Sequence, residues 1–452
     1  NHLIPQRYHS LLATLKFIFN HGIKPQLSSG TLMTTQIKSH YLGRISKINW
    51  KAFGPGILMA SAAIGASHLV SSTQAGALFG WQLAIVIILA NVLKYPFFRF
   101  GIDYVYDTGD SLIAGYAKKS KVYLWVYFIL SVISSIITLA AVGLMSAVIL
   151  TFMFPSLGLT PLTASVIVLA ISWVLLIAGR YNVLDGITKI IILALAITTV
   201  AAVFIAAGKP TVMAVDFVEP SPWNLASLSF IVVVVGWMPA PLEFSVITSM
   251  WTAKKIQTDH TTHEQGRLDF NVGFATSTIL AVLFLALGVY VQYGSGQEIQ
   301  TAGSAYVGQL IDMYTATIGE WSRLLVAFIA FMCMFSTTLT SGDGYGRANA
   351  ECWRLIKGEH EISRGQLIFW ISWAVFGGFI IIAFFEGQLS NMLKFAMSSA
   401  FVSAPVFAWL NYSLVRSEQK LSSGIQALSI IGLMFLLGFA LLYVANTMGV
   451  FG

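Results

Sequence analysis

Long apolar runs with short polar joints recur along this chain, and most come close to the roughly 20 residues a helix needs to cross a bilayer. They occupy 53–80, 81–100, 122–152, 162–179, 186–208, 227–251, 270–293, 321–341, 366–385, 389–414 and 425–447, which predicts eleven spans. Two of them are interrupted. The first, FGPGILMASAAIGASHLVSSTQAGALFG, carries Gly65-Ala66-Ser67-His68 in its middle. A helix built only to cross lipid would place Leu, Ile or Val there, because unpaired polar groups in hydrocarbon are costly. Gly followed by small and polar residues suits an unwound joint between two half-helices. The sixth run, SLSFIVVVVGWMPAPLEFSVITSMW, sets Pro239 and Pro241 just after Gly236, and each proline removes a backbone donor. Two broken spans in corresponding positions point to an inverted-repeat transporter with its site at the bilayer midplane. Spans one to five (51–208) and six to ten (223–415) form the two halves, with an additional helix at 425–447. A short helix around 304–315 is expected in the longest joint, 294–320.

Composition narrows the class. With 56% hydrophobic and only 10% charged residues, the chain is an all-α polytopic membrane protein, not a soluble enzyme. No P-loop, ATPase signature or catalytic triad is present, so neither an enzymatic activity nor a cofactor is expected. Cys333 and Cys352 form no disulfide framework and match no metal-ligand spacing. The net charge of +7 reads as cytoplasmic joints beside anionic lipid, not as a nucleic-acid surface. With the N-terminus inside, Lys209 and Arg323 fall outside and Lys94 and Lys394 lie within spans; the other 22 of the 26 Lys and Arg are cytoplasmic. This bias predicts a cytoplasmic N-terminus and an external C-terminus in the cell (inner) membrane. Residues 1–50, with six Lys or Arg, four His and no acid, form a basic tail in which 11–19 could be an interfacial helix. The expected partners are a small inorganic ion and the lipid bilayer, with a monomer as the default state.

Candidate chemistry gathers at the breaks. His68 opens a half-helix running to about Phe79, with Ser67 as N-cap and Ser71 and Ser72 three and four residues on. A helix N-terminus with hydroxyls and an imidazole is receptive to an anion; the bland alternative is a buried His bonded to a neighbouring carbonyl. The second half-helix should begin near Ala240 and Pro241. Met238 reads as apolar lining, and Trp237 either closes a small pocket or packs. Glu243 follows Met238 by five positions, about 140° around and about 7.5 Å along a helix; it lines the inner vestibule, pairs with a basic group, or relays protons. Lys94 and Lys394 are expected to snorkel toward the cytoplasmic interface. Cys352 is placed in a cytoplasmic joint, 342–364, and DGYGR in a helix terminus and turn.

The sequence GPGILM…QAGALFGW, followed by Leu89-Ala90-Asn91, resembles the first two spans of the Nramp metal-ion transporters. Met238-Pro239 resembles the Met-Pro-His motif of their sixth span, and most of 50–415 follows their span order. The resemblance implies a LeuT-like fold, a 5+5 inverted repeat with helices 1 and 6 broken plus an eleventh helix. It fails at the chemistry. Where Nramps carry Asp-Pro-Gly-Asn this chain has Gly65-Ala66-Ser67-His68, and where they carry Met-Pro-His-Asn it has Met238-Pro239-Ala240-Pro241. A divalent metal site of the family type is therefore not expected. The substrate set becomes Gly65, Ala66, Ser67, His68, Ser71, Trp237, Met238 and Ala240, suited to a small anion. Bicarbonate is the example implied by Nramp-related prokaryotic proteins that lack the metal motif. In the LeuT-like fold, hydroxyls of the eighth span and carbonyls of the first break bind a coupling Na⁺; the counterparts here are Ser336, Thr337, Thr340 and Ser341 with Ile64 and Gly65. The alternative is a proton-coupled Mn or Fe transporter using Met238 and His68.

Overall fold

The computed structural model describes residues 54–179, 181–210, 213–300 and 303–450, with the side chains of 181–189 and 192 left aside. The basic tail and the helix expected at 11–19 lie outside the described residues. Those residues are almost wholly helical, with no strand among them. The first span consists of α1 (Pro55–Ala63), a π-helical turn (Ser67–Ser72) and α2 (Thr73–Phe79). Next come α3 (Ala84–Thr108), α4 (Leu112–Lys119), α5 (Lys121–Met153), α6 (Pro161–Ile177) and α7 (Tyr181–Ala207). The second half repeats the break with α8 (Leu225–Gly236) and α9 (Phe244–Asp259), then α10 (His263–Val291), α11 (Gly303–Ile318) and α12 (Arg323–Lys357). It closes with α13 (Arg364–Phe384), α14 (Leu389–Glu418) and α15 (Ser423–Thr447). Among the described residues, seven helical stretches are long and apolar enough to cross a membrane, and three shorter apolar helices accompany them.

Local chemistry sets most boundaries. Pro55 and Pro161 stand in the first turn, where no N–H is needed. Asn224 caps α8, and Thr262 and Ser363 close capping boxes on α10 and α13. The helix expected near 304–315 is α11. The eighth span departs most from expectation: α12 runs sixteen residues past 341, to Lys357, so DGYGR is mid-helix and not a turn. Gly342, Gly344 and Gly346 each weaken a helix locally, but tertiary packing overrides this. Leu176, Ile247 and Ile371 press against them so closely that a Cβ at each would lie 2.5–2.8 Å from a side-chain carbon. Asp343 and Arg347 add an i,i+4 ion pair. Cys352 is accordingly buried inside α12 and not in an open joint.

One helix holds both parts of the first span. Against α10, Gly56 meets the backbone of Asp269 and Phe270, and Gly76 meets the carbonyl of Leu285; a Cβ at Gly76 would stand 2.0 Å from that oxygen. Such backbone-to-backbone approach is available only to glycine. The Asp269 carboxylate then accepts from the N–H groups of Gly54 (3.1 Å) and Gly56 (2.7 Å) at the start of α1.

Candidate functional site

The two broken spans run between two cavities. One, about 620 Å³, is bordered by the start of α1 and the body of α9, with Gly54, Trp251, Lys254, Asp259, Asp343 and Arg347 in its wall. The other, about 540 Å³, lies at α2 and α8, with Gln74, Phe230, Gln297 and Lys394 among its lining. Neither wall includes a residue of the two breaks. Gly65, Ala66, Ser67, His68, Ser71, Trp237, Met238 and Ala240 are all buried in the sealed middle. The expected substrate residues are therefore all buried, and none of them borders either cavity.

At the first break α1 ends at Ala63, and the chain resumes in the π-helical turn. Ser67 does not act as an N-cap: its hydroxyl donates back to Ala63 O (2.9 Å) and meets His68 Nδ1 (2.8 Å). The ring crosses to α10, where Nε2 lies 2.9 Å from Ser277 O and 3.2 Å from Ser277 Oγ. Both ring nitrogens are thus engaged by protein. Gly65 O accepts from the His68 and Leu69 N–H groups, and the Cys333 thiol on α12 donates to Ile64 O (2.8 Å). The π turn also moves Ser71 and Ser72 apart; Ser71 points to Met397 Sδ (3.0 Å) and Ser72 to Ser67 O (3.2 Å).

The helix carrying the proposed coupling-ion hydroxyls does lie against this break. A Cβ at Gly65 would stand 3.2 Å from Thr337 Oγ1. Thr337 donates to Cys333 O (3.0 Å), which leaves its lone pairs for a cation. Ser341 is one turn farther on the same face. Ser61 lies one turn back from Gly65, on α1. Both hydroxyls are buried without a hydrogen-bond partner. Thr338 turns to Met334 O and Ser146 instead. Ser336 and Thr340 are buried on α12 as well. Sequence reasoning missed Ser61 and Cys333; the only signal was their small polar type near a break.

The second break is closed differently. The Met238–Pro239 peptide is cis, and α9 starts at Phe244 with Glu243 before it, later than the expected Ala240 or Pro241. The Trp237 indole N–H is buried with no acceptor. Glu243 is fully buried and absent from the wall of the 620 Å³ cavity; its Oε1 accepts from Tyr345 OH (2.9 Å), while Oε2 has no partner. Lys94 does not snorkel: it is completely buried and donates to Val235 O (2.6 Å) and Gly236 O (3.0 Å) at the end of α8. An ammonium there meets unpaired carbonyls at the negative end of a helix. Lys394 is exposed and lines the cavity beside the 294–299 joint, the opposite end from the one expected, because it sits barely two turns into α14. No group of three or more His, Cys, Asp or Glu able to hold a metal ion occurs among the described residues.

Residues 56–450 match the family described as natural resistance-associated macrophage protein-like, Nramp. An uncharacterized protein of Pasteurella multocida is 51% identical over 414 residues, covering 90% of this chain and 95% of its own length. The divalent metal cation transporter MntH of Staphylococcus saprophyticus is 26% identical over 302 residues, 63% of each chain. Among solved structures, the manganese transporter of Eremococcus coleocola superposes with a TM-score of 0.65 at 14% identity, covering 95% of this chain and 91% of that one. The architecture is the LeuT-like fold.

Proposed function

The chain belongs to the Nramp family, and we propose that this membrane transporter carries a small anion such as bicarbonate by alternating access, coupled to Na⁺. The observation that carries the reading is the Trp237 N–H, buried at the second break with no acceptor. A buried donor without a partner costs roughly 1–3 kcal/mol, and an anion at the break would supply the acceptor. The rewritten ligand positions support the same reading. Gly65 offers no carboxylate, and both nitrogens of His68 are already bonded to Ser67 and Ser277. For Na⁺, the Thr337 hydroxyl stands against Gly65, and the buried hydroxyls of Ser61 and Ser341, each about one turn away along its own segment, have no hydrogen-bond partner; with the carbonyls of Ile64 and Gly65 these are hard oxygen ligands. The proposed orientation, N-terminus cytoplasmic and C-terminus outside in the cell's inner membrane, makes the cavity at Lys254 and Arg347 the inner vestibule.

The names of two relatives, a divalent metal cation transporter and a manganese transporter, favour a second reading in which Met238 and His68 bind a transition metal. Uptake into proteoliposomes separates the two. Radiolabelled bicarbonate should accumulate under an inward Na⁺ gradient and Mn²⁺ should not. Mn²⁺ accumulation that is lost in Met238→Ala would replace the anion reading with the metal one.

A further inference from the structure

The end of α8 offers a cation position that is already filled. The helix ends at Gly236; Pro239, four residues after Val235, carries no N–H, and the break carries Ala240 away from Gly236 O, so these two carbonyls lack the helical partners that a continuous span would supply. Met238 N–H donates to Val235 O at 3.2 Å. Two neighbouring carbonyls at the negative end of a helix dipole are the kind of site where transporters of this architecture hold coupling ions. They cannot drift apart, because Gly236 is pressed to the backbone of Met397; a Cβ there would lie 2.1 Å from Met397 O. Lys94 reaches both from α3, at 2.6 and 3.0 Å, with none of its surface exposed. Across the break Glu243 immediately precedes α9, at the positive end of that helix. Each charge thus meets the helix end that favours it.

We propose that Lys94 is a tethered cation. It occupies the position that the terminal carbonyls of α8 would otherwise offer to a free ion, so the second break takes up no metal or sodium ion. Its ammonium form also places a positive charge on the carbonyls that lead into Trp237 and Met238, which makes it a specificity-determining residue for the transport site. A lysine suits the task, since its compact ammonium can direct separate N–H bonds at two carbonyls, whereas a planar guanidinium is built for bidentate anions. Only the consequence for substrate rests on the anion reading above.

Thermal unfolding of the purified full chain tests the tethered cation without any substrate. Lys94→Ala removes the ammonium from both carbonyls, leaving Val235 O with backbone donors alone, and should melt below wild type. Methylammonium should restore part of that loss, while equimolar tetramethylammonium, too large for the position, should not. Wild type should respond to neither and should gain no stability from micromolar Mn²⁺. A Lys94→Ala protein that melts with wild type, or a wild type stabilised by micromolar Mn²⁺, would overturn the proposal. Lys94→Gln covers the case in which alanine does not fold, since its amide still donates to a carbonyl without charge. Its melting temperature should stay near wild type while half-saturation for bicarbonate rises about 10- to 100-fold, the value of one charged partner. Unchanged half-saturation would remove the charge from its assigned role. Methylammonium rescue in a protein that carries no bicarbonate would uphold the tethered cation and discard the anion reading alone.

Discussion

The two broken spans occupy matching places in the two halves of the fold, yet they satisfy their freed backbone by different means. At the first break the chain bonds largely to itself and to near neighbours: Ser67 to Ala63, His68 to Ser67 and Ser277, Cys333 to Ile64. No formal charge enters these bonds when His68 is neutral. At the second break a lysine caps the outgoing helix and a glutamate precedes the incoming one, leaving an indole N–H and a carboxylate oxygen without partners. Hydroxyls and thiols can rotate and exchange acceptors at low cost. A buried ammonium cannot leave its carbonyls without a large desolvation penalty. The first break is therefore the adaptable one, and the second is the fixed point around which an occupant is selected.

The largest test of that contrast is steric. Gly236→Ala would drive a methyl into the Met397 backbone, 2.1 Å from its oxygen, whereas the Gly65→Ala methyl meets side chains alone, the nearest being the Thr337 hydroxyl at 3.2 Å. Gly236→Ala should lose about 3 kcal/mol or more of stability together with all uptake, and Gly65→Ala no more than about 1 kcal/mol with uptake retained. Denaturation of both purified variants checks this; equal losses would erase the distinction between a fixed and an adaptable break.

Removing the imidazole comes next. His68→Ala leaves Ser67 and Ser277 without their shared partner in a buried site, so the first break loses its fixed geometry and bicarbonate half-saturation should rise about tenfold through positioning, not through a lost ligand. Kinetics of radiolabel uptake report it, and an unaltered value would reduce His68 to packing. Trp237→Phe removes the N–H together with one ring of a buried indole. Half-saturation should rise about tenfold, and the cavity left behind should cost roughly 1 kcal/mol of stability. An unchanged half-saturation would remove the indole N–H from the anion site.

The smallest effects belong to the hydroxyl face of α12. Thr337→Val should raise the Na⁺ concentration for half-maximal uptake by about three- to tenfold, the value of one lost ligand. Thr338→Val, turned toward Ser146, should leave it unaltered. Uptake indifferent to replacing Na⁺ by choline at fixed pH would end the coupling argument and leave the first break as a structural joint.

Much of the architecture was legible along the chain. The eleven runs, both interruptions and α11 all emerge from hydrophobic length, proline and glycine, and these act within a few residues. The overextended α12 was not legible: three glycines in five residues read locally as a helix end, and only Leu176, Ile247 and Ile371 packed against them reverse that. Lys94 and Lys394 looked alike as isolated charges in apolar runs. One proved to be a completely buried cap and the other an exposed cavity residue.

By itself, then, the sequence determined a multispan helical chain with two breaks at Gly65–His68 and Gly236–Pro241, since bilayer length and backbone donors are local properties. Which groups answer those breaks was decided only by tertiary structure. The carbonyl that Lys94 caps lies 141 residues away, the carbonyl His68 reaches lies 209 away, and Cys333 stands 269 residues from Ile64. No local pattern encodes such pairings; they arise because a buried polar group must find a partner wherever packing brings one within about 3 Å.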